Sequence, residues 1–207
     1  MAHEALRGLL PAHIIESVLA RYDESWRVLH NREHVLGMFR FARDHGFVLA
    51  PEQAIGILFH DSIYNPAAPR GQNERASAEL LAELCDELPF EITATGHQIV
   101  LDTIEHAPHS YQSHLVLDLD LSSFVLAGQG KLNPSRLVWD EYRYLMPEDD
   151  AVAAPLFWKA RGAVLRGFLE RPQLFTSVEF QAHPEFERLA REHLTSELLR
   201  AVDCPIP

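Results

Sequence analysis

The feature that most limits what this chain can fold into is the run Ala54-Ile55-Gly56-Ile57-Leu58-Phe59, which ends on His60-Asp61. A segment this apolar is buried, and an imidazole and a carboxylate at its end are costly unless something pairs with them. The partner that suits a mixed nitrogen and oxygen pair is a divalent cation. Neighbouring residues on a helix point about 100° apart, so both reach one ion only where the helix ends or bends. Ser62, Tyr64, Asn65 and Pro66 supply that ending. Alone, a His-Asp dipeptide is more often chance or an ordinary hydrogen-bonded pair, and its weight comes from what surrounds it.

What surrounds it is helical. From Pro11 to Leu29 the residues Ile14, Ile15, Val18, Leu19, Tyr22, Trp26 and Leu29 recur at spacings of three and four. A second helix is predicted from His30 to His45, with Val35, Met38, Phe39 and Ala42 inward and Gly46 as its stop. Pro51-Glu52 opens a third that ends at the His-Asp pair. After a proline- and glycine-rich loop over 65–72, helices are predicted over 73–88, 91–106, 115–126, 134–146, 151–170 and 184–201. No strand-like alternation persists, no repeat shows and no linker divides the chain. The expectation is an all-α single domain over 1–207.

Composition narrows the function. A chain of 207 residues, 47% hydrophobic and 23% charged, buries a substantial core as a soluble globular protein. Its apolar runs are too short to span a membrane, and Met1-Ala2-His3-Glu4 does not begin a signal peptide. Cys85 and Cys204 are too few for a disulfide framework, which fits a reduced cytoplasm. A net charge of -12 opposes binding to long nucleic acid, whose affinity rests on phosphate neutralisation. A small substrate is expected instead, and the 12 histidines invite a search for ligand spacing.

His30-Asn31-Arg32-Glu33-His34 places two histidines four apart, on one face if helical. No glutamate follows the first, so this is not the zincin arrangement. His34 continues towards Met38 on the inner face, where an imidazole needs a partner. Downstream, Leu115-Val116-Leu117-Asp118-Leu119-Asp120-Leu121 is an apolar segment holding two carboxylates. On a helix these face about 200° apart, so at most one is expected to enter the core.

These pieces, in the order His, His-Asp, Asp on a helical chain, resemble the HD superfamily of metal-dependent phosphohydrolases. Nearly the whole chain resembles a bacterial family of small predicted HD phosphohydrolases of similar length. The likeness runs through Arg27-Val28-Leu29-His30-Asn31-Arg32-Glu33-His34, Phe59-His60-Asp61-Ser62-Ile63-Tyr64, Asn73-Glu74-Arg75-Ala76-Ser77-Ala78, Leu117-Asp118-Leu119-Asp120-Leu121-Ser122 and Glu187-Arg188-Leu189-Ala190-Arg191. The His-Asn-x-x-His element is also similar to that of the cyclic nucleotide phosphodiesterases. The resemblance implies His34, His60, Asp61 and Asp120 as ligands, with Asp118 the alternate to Asp120, and His30 as general acid. It implies Glu74 as a carboxylate orienting water or a ligating histidine, and Asn31 as a further site residue. Leu29 departs from the family's tyrosine, and Trp139-Asp140 from the basic residue expected before Glu141-Tyr142.

Arg27, one turn before His30-Asn31, is the expected phosphate donor, ahead of Arg32, Lys131, Arg136 and Arg161. One divalent ion (Mn, Fe, Zn, Ni or Mg) is expected. A second would draw on His106 and His114, although His106 near a helix end more often caps it. The expected reaction is hydrolysis of a small phosphate ester, a nucleotide among the candidates, with Asp61 and His30 catalytic. The alternatives are an HD-type di-iron oxygenase and a non-catalytic nucleotide-binding module.

Overall fold

The computed structural model describes residues 2–203, so Cys204 lies outside the described residues. It is all-α: among the described residues there is no strand. The chain packs as two compact units, Met1–Asp120 and Leu121–Pro207. No linker marks the division, since Asp120 closes one helix and Leu121 is the N-cap of the next.

The first unit contains α1 (Ala2–Ala5), α2 (Ala12–Arg21), α3 (Arg32–Asp44), α4 (Pro51–Phe59), α5 (Gln72–Leu84), α6 (Phe90–Asp102) and α7 (Tyr111–Asp120). Its axis is α4, in which Gln53 through Phe59 are all buried. The other six helices all pack against it. Two glycines let α6 come close. A Cβ on Gly56 would stand 2.6 Å from Ile99 Cγ2, and one on Gly96 would stand 3.3 Å from Ile55 Cγ2.

The second unit contains α8 (Ser122–Gly128), α9 (Pro134–Tyr142), a 3-10 turn (Arg143–Leu145), α10 (Asp150–Leu169), α11 (Val178–Gln181) and α12 (Pro184–Arg200). Here Gly128 sits so close to α12 that a Cβ would meet the Leu189 carbonyl oxygen at 2.4 Å. Trp139, Ala153, Ala154, Phe157 and Trp158 form an apolar cluster between α9 and α10. No helix among the described residues is long and apolar enough to cross a membrane.

Several predicted boundaries move, for reasons that shape the site. The helix expected to reach Leu29 stops at Arg21, and residues 22–31 form turns that bring Tyr22 and Arg27 inward. Asn31 is the N-cap of α3, its side-chain oxygen accepting from the His34 amide at 3.2 Å. His30 therefore lies outside that helix rather than on it. The helix expected over 91–106 ends at Asp102, and the one expected over 115–126 breaks between Asp120 and Ser122.

Candidate metal centre

The site forms where α4 ends. A helix terminus leaves carbonyls without intrahelical partners, and here each is taken. The ring Nδ1 of His60 donates to the Ile57 carbonyl at 2.9 Å, Tyr22 Oη donates to Leu58 at 2.9 Å, and the Ser62 amide donates to Phe59 at 3.0 Å. Tyr22 Oη also accepts from the Asp61 amide at 3.2 Å. Arg27 donates to the carbonyls of Asp61 at 2.6 Å, His30 at 3.2 Å and Ser62 at 3.3 Å, and pairs with Glu24 at 2.8 Å. Its guanidinium lies over the rings of Tyr22, Trp26 and Tyr64 at 5.0–5.4 Å.

The turn so fixed delivers His60 and Asp61 to one place, with His60 Nε2 at 3.2 Å from Asp61 Oδ2. α3 brings His34, whose Nε2 is 3.1 Å from His60 Nε2. From α7, Asp120 Oδ1 lies 3.0 Å from His34 Nε2 and 3.7 Å from His60 Nε2. On the other oxygen of Asp120, His106 Nε2 sits at 2.9 Å. The ligand atoms of His34, His60 and Asp61 lie within 4.8 Å of one another, and the group can hold a metal ion. Divalent ions bind such donors at about 2.0–2.2 Å, which sets adjacent donors roughly 3 Å apart. The spacings between these donors fit that geometry. The tautomer fits as well, because the Nδ1 proton of a neutral His60 is committed to Ile57 and its Nε2 lone pair faces the cluster.

Neighbouring charges oppose the effect of burial here. Burial works against a positive His60, but Asp61 and Asp120 outweigh it and raise the imidazole from 6.5 to about 9. Burial likewise opposes ionisation of Asp61, yet His60 beside it holds the carboxyl far below the usual range. Asp120 is held well below that range against burial, through its hydrogen bonds with His106 and His34.

Of the predicted site residues, His34, His60, Asp61 and Asp120 come together. His30 stands beside them, partly exposed, its ring 6.0 Å from that of His34 and 4.4 Å from that of Tyr64. Asn31 acts on His34 through the backbone, as a cap. Arg27 is 5% exposed and spends its guanidinium on carbonyls and Glu24, so it shapes the turn and does not reach out to a phosphate. Glu74, in the first turn of α5, makes no hydrogen bond with the four among the described residues. Arg32 is paired with Asp23 and Glu16. Lys131, Arg136 and Arg161 belong to the second unit, where Arg136 pairs with Asp140 and Arg161 donates to Ser135.

Asp118 is 2% exposed, so both carboxylates of α7 turn inward, contrary to expectation. The reason is that α7 has helices on several sides, packing against α3, α4 and α6. His106 does not cap α6. It has a left-handed backbone (φ 45°), uncommon for a residue with a side chain, and that turn aims its ring at Asp120. The turn is pinned by buried Asp102, which accepts from the His109 amide at 2.9 Å, from its ring Nδ1 at 2.8 Å and from Gln98 at 2.6 Å.

Sequence reasoning missed Tyr22 as a positioning residue, because it occupies an apolar step of the helical pattern. It also missed the Asp102–His109 clamp, which no spacing rule marks. Compared with family models, with curated proteins and with solved structures, the chain finds no match.

Proposed function

We propose that this chain is a metal-dependent phosphohydrolase of the HD type, acting in the cytoplasm on a small phosphate ester, a nucleotide among the candidates. The observation that carries the reading is the convergence of His34, His60, Asp61 and Asp120 at donor spacings near 3 Å, with His30 at the margin.

A divalent cation bound there supplies Lewis acidity and lowers the pKa of a water from about 15.7 towards 7. The chain's residues do the rest. Asp61 and Asp120 provide the negative charge that retains a cation, and His106 fixes Asp120 so that Oδ1 faces His34 and His60. His30, outside the α3 ladder and against Tyr64, would hand a proton to the leaving alkoxide, an effect typically of about 10² to 10⁴ in rate. Of the candidate ions, zinc, iron and nickel suit the imidazoles of this mixed donor set, and manganese and magnesium suit its carboxylates.

The test begins with metal analysis of the purified protein, then assays of phosphomonoesters, phosphodiesters and nucleotides after chelation and manganese return. Turnover should vanish with chelator and recover with metal. His30→Ala should keep its metal and lose roughly 10² or more in turnover, as loss of a general acid does. Asp61→Asn should lose metal and activity together. A metal-replete protein inert to every phosphate ester sinks the hydrolytic reading, and oxygen consumption by an iron-loaded form would replace it with the oxygenase.

One observation favours a second reading of the metal count. Asp120 engages His34 with one oxygen and His106 with the other, so a second ion, if held, would draw on His106 and Asp120. Two metals per chain, falling to one in His106→Gly, would establish it; one metal in both would remove it.

A further inference from the structure

One side of α10 packs into the second unit, and the other is uncovered among the described residues. Val152, Leu156 and Val164 are each about half exposed there, and Ala160, Ala163 and Gly167 are exposed beside them. At 100° per residue, Val152, Leu156, Ala160, Ala163 and Gly167 lie within about 80° of one another. Single exposed apolar residues need no explanation, whereas a continuous row along a helix face marks a contact surface. Gly167 sharpens the point. Glycine is among the poorest residues for a helix interior, and a Cβ there would meet nothing within 4 Å. Among the described residues nothing requires it.

We propose that this face pairs with a second copy of the chain, α10 against α10, antiparallel about a two-fold axis. Leu156, Ala160, Ala163 and Gly167 follow the four-three-four spacing of a helix seam. With the axis between Arg161 and Gly162, Leu156 lies across the partner's Gly167 and Ala160 across the partner's Ala163. A large residue meets the smallest one in both halves, as an isologous contact requires. Charge sets the same direction. Asp149 and Asp150 open the helix while Arg166 and Arg171 stand at its far end. Antiparallel pairing brings the acidic turn of each copy beside the partner's Arg171 and opposes the helix dipoles. A parallel pair would set acid against acid in a chain of net charge -12. Two helices of 20 residues meet along about 30 Å, and one helix pair of that length buries less than the roughly 800 Å² per partner of a standard-size complex. The dimer is therefore reversible.

Sedimentation equilibrium from low to high micromolar protein tests this. The wild-type chain should move from monomer to twice the monomer mass as concentration rises. Gly167→Leu should stay monomeric, while its dilute melting temperature holds or rises because the new side chain enters open space on a helix. Val178→Glu, at an exposed apolar residue of α11, should dimerise like wild type. In a Cys204→Ser background, Ala160→Cys mixed with Ala163→Cys should form the mixed disulfide in preference to either homodimer. A wild-type chain monomeric throughout overturns the proposal, as does a Gly167→Leu that still dimerises or a mixture that crosslinks without preference.

Discussion

At His60 one ring serves both the backbone and the site. Its Nδ1 proton closes the end of α4 on the Ile57 carbonyl, and its Nε2 meets His34, Asp61 and Asp120. The electrostatics follow. With its imidazole raised from 6.5 to about 9, a charged His60 stabilises the metal-free protein fully below about 6.5, and that contribution is lost as pH rises through about 9. Asp61 and Asp120, both lowered, contribute stability above the ordinary carboxylate range that is lost as pH falls below it. Metal binding needs His60 neutral and releases its proton. In chelator, the melting temperature should fall from pH 6.5 to 9. In excess manganese, the gain over chelator should grow across the same interval. Parallel curves with and without manganese would mean that His60 is not a ligand, and His60→Gln should flatten the chelator curve. The side chains that converge were legible in the sequence, because a histidine or carboxylate within an apolar run asks for a partner. Arg27 was legible only in part. Its charge stood out in an acidic chain, but no pattern shows whether a guanidinium is spent on phosphate or on the carbonyls of a turn.

Among the elements, α4 decides where the site is, and its depth comes from glycine. Gly56 faces Ile99 and Gly96 faces Ile55, so α4 and α6 approach more closely than two alanines would allow. In Gly56→Ala the new methyl would stand 2.6 Å from Ile99 Cγ2, an atom beside the backbone that cannot swing clear. The helices must part, which should cost about 1–3 kcal/mol by overpacking, despite alanine's better helix propensity. Because α4 ends on His60, manganese affinity should fall with stability. Adding Ile99→Ala should restore part of both, a coupling that a double-mutant cycle measures. A Gly56→Ala protein as stable as wild type would mean that the crossing is looser than the structure has it. Helix order was largely legible, since the apolar spacing of three and four is strong along α2, α3 and α5. The ends were not. They depend on side chains distant in sequence, such as Tyr22 taking the Leu58 carbonyl and Asp102 taking the His109 amide, which propensity does not register.

For the molecule as a whole, the two-unit packing decides how far a bound cation can be felt. His30, His34, His60, Asp61, His106 and Asp120 all belong to the first unit, and Asp120 is its last residue. Ligand binding suppresses only those openings that break the site, so its protection spreads over the cooperative unit that carries the ligands. Here that unit holds α3, α4 and α7, with the turn of residues 102–113 that aims His106. Hydrogen exchange with manganese and with chelator should therefore differ most over residues 31–62 and 102–120. The amides of α10 and α12 lie in the second unit around Trp139, Phe157 and Trp158, and should exchange alike under both conditions. Protein concentration gives a second way to tell the two units apart. Raising protein concentration should slow exchange in α10 while leaving residues 31–62 unchanged, which is the converse of the manganese effect. If manganese protected α10 and α12 as strongly as α4, the chain would open as one cooperative body. The pairing of α10 would then be a lever on the metal centre, and Gly167→Leu should shift manganese affinity. If the protection stops near Asp120, Gly167→Leu should leave that affinity unchanged.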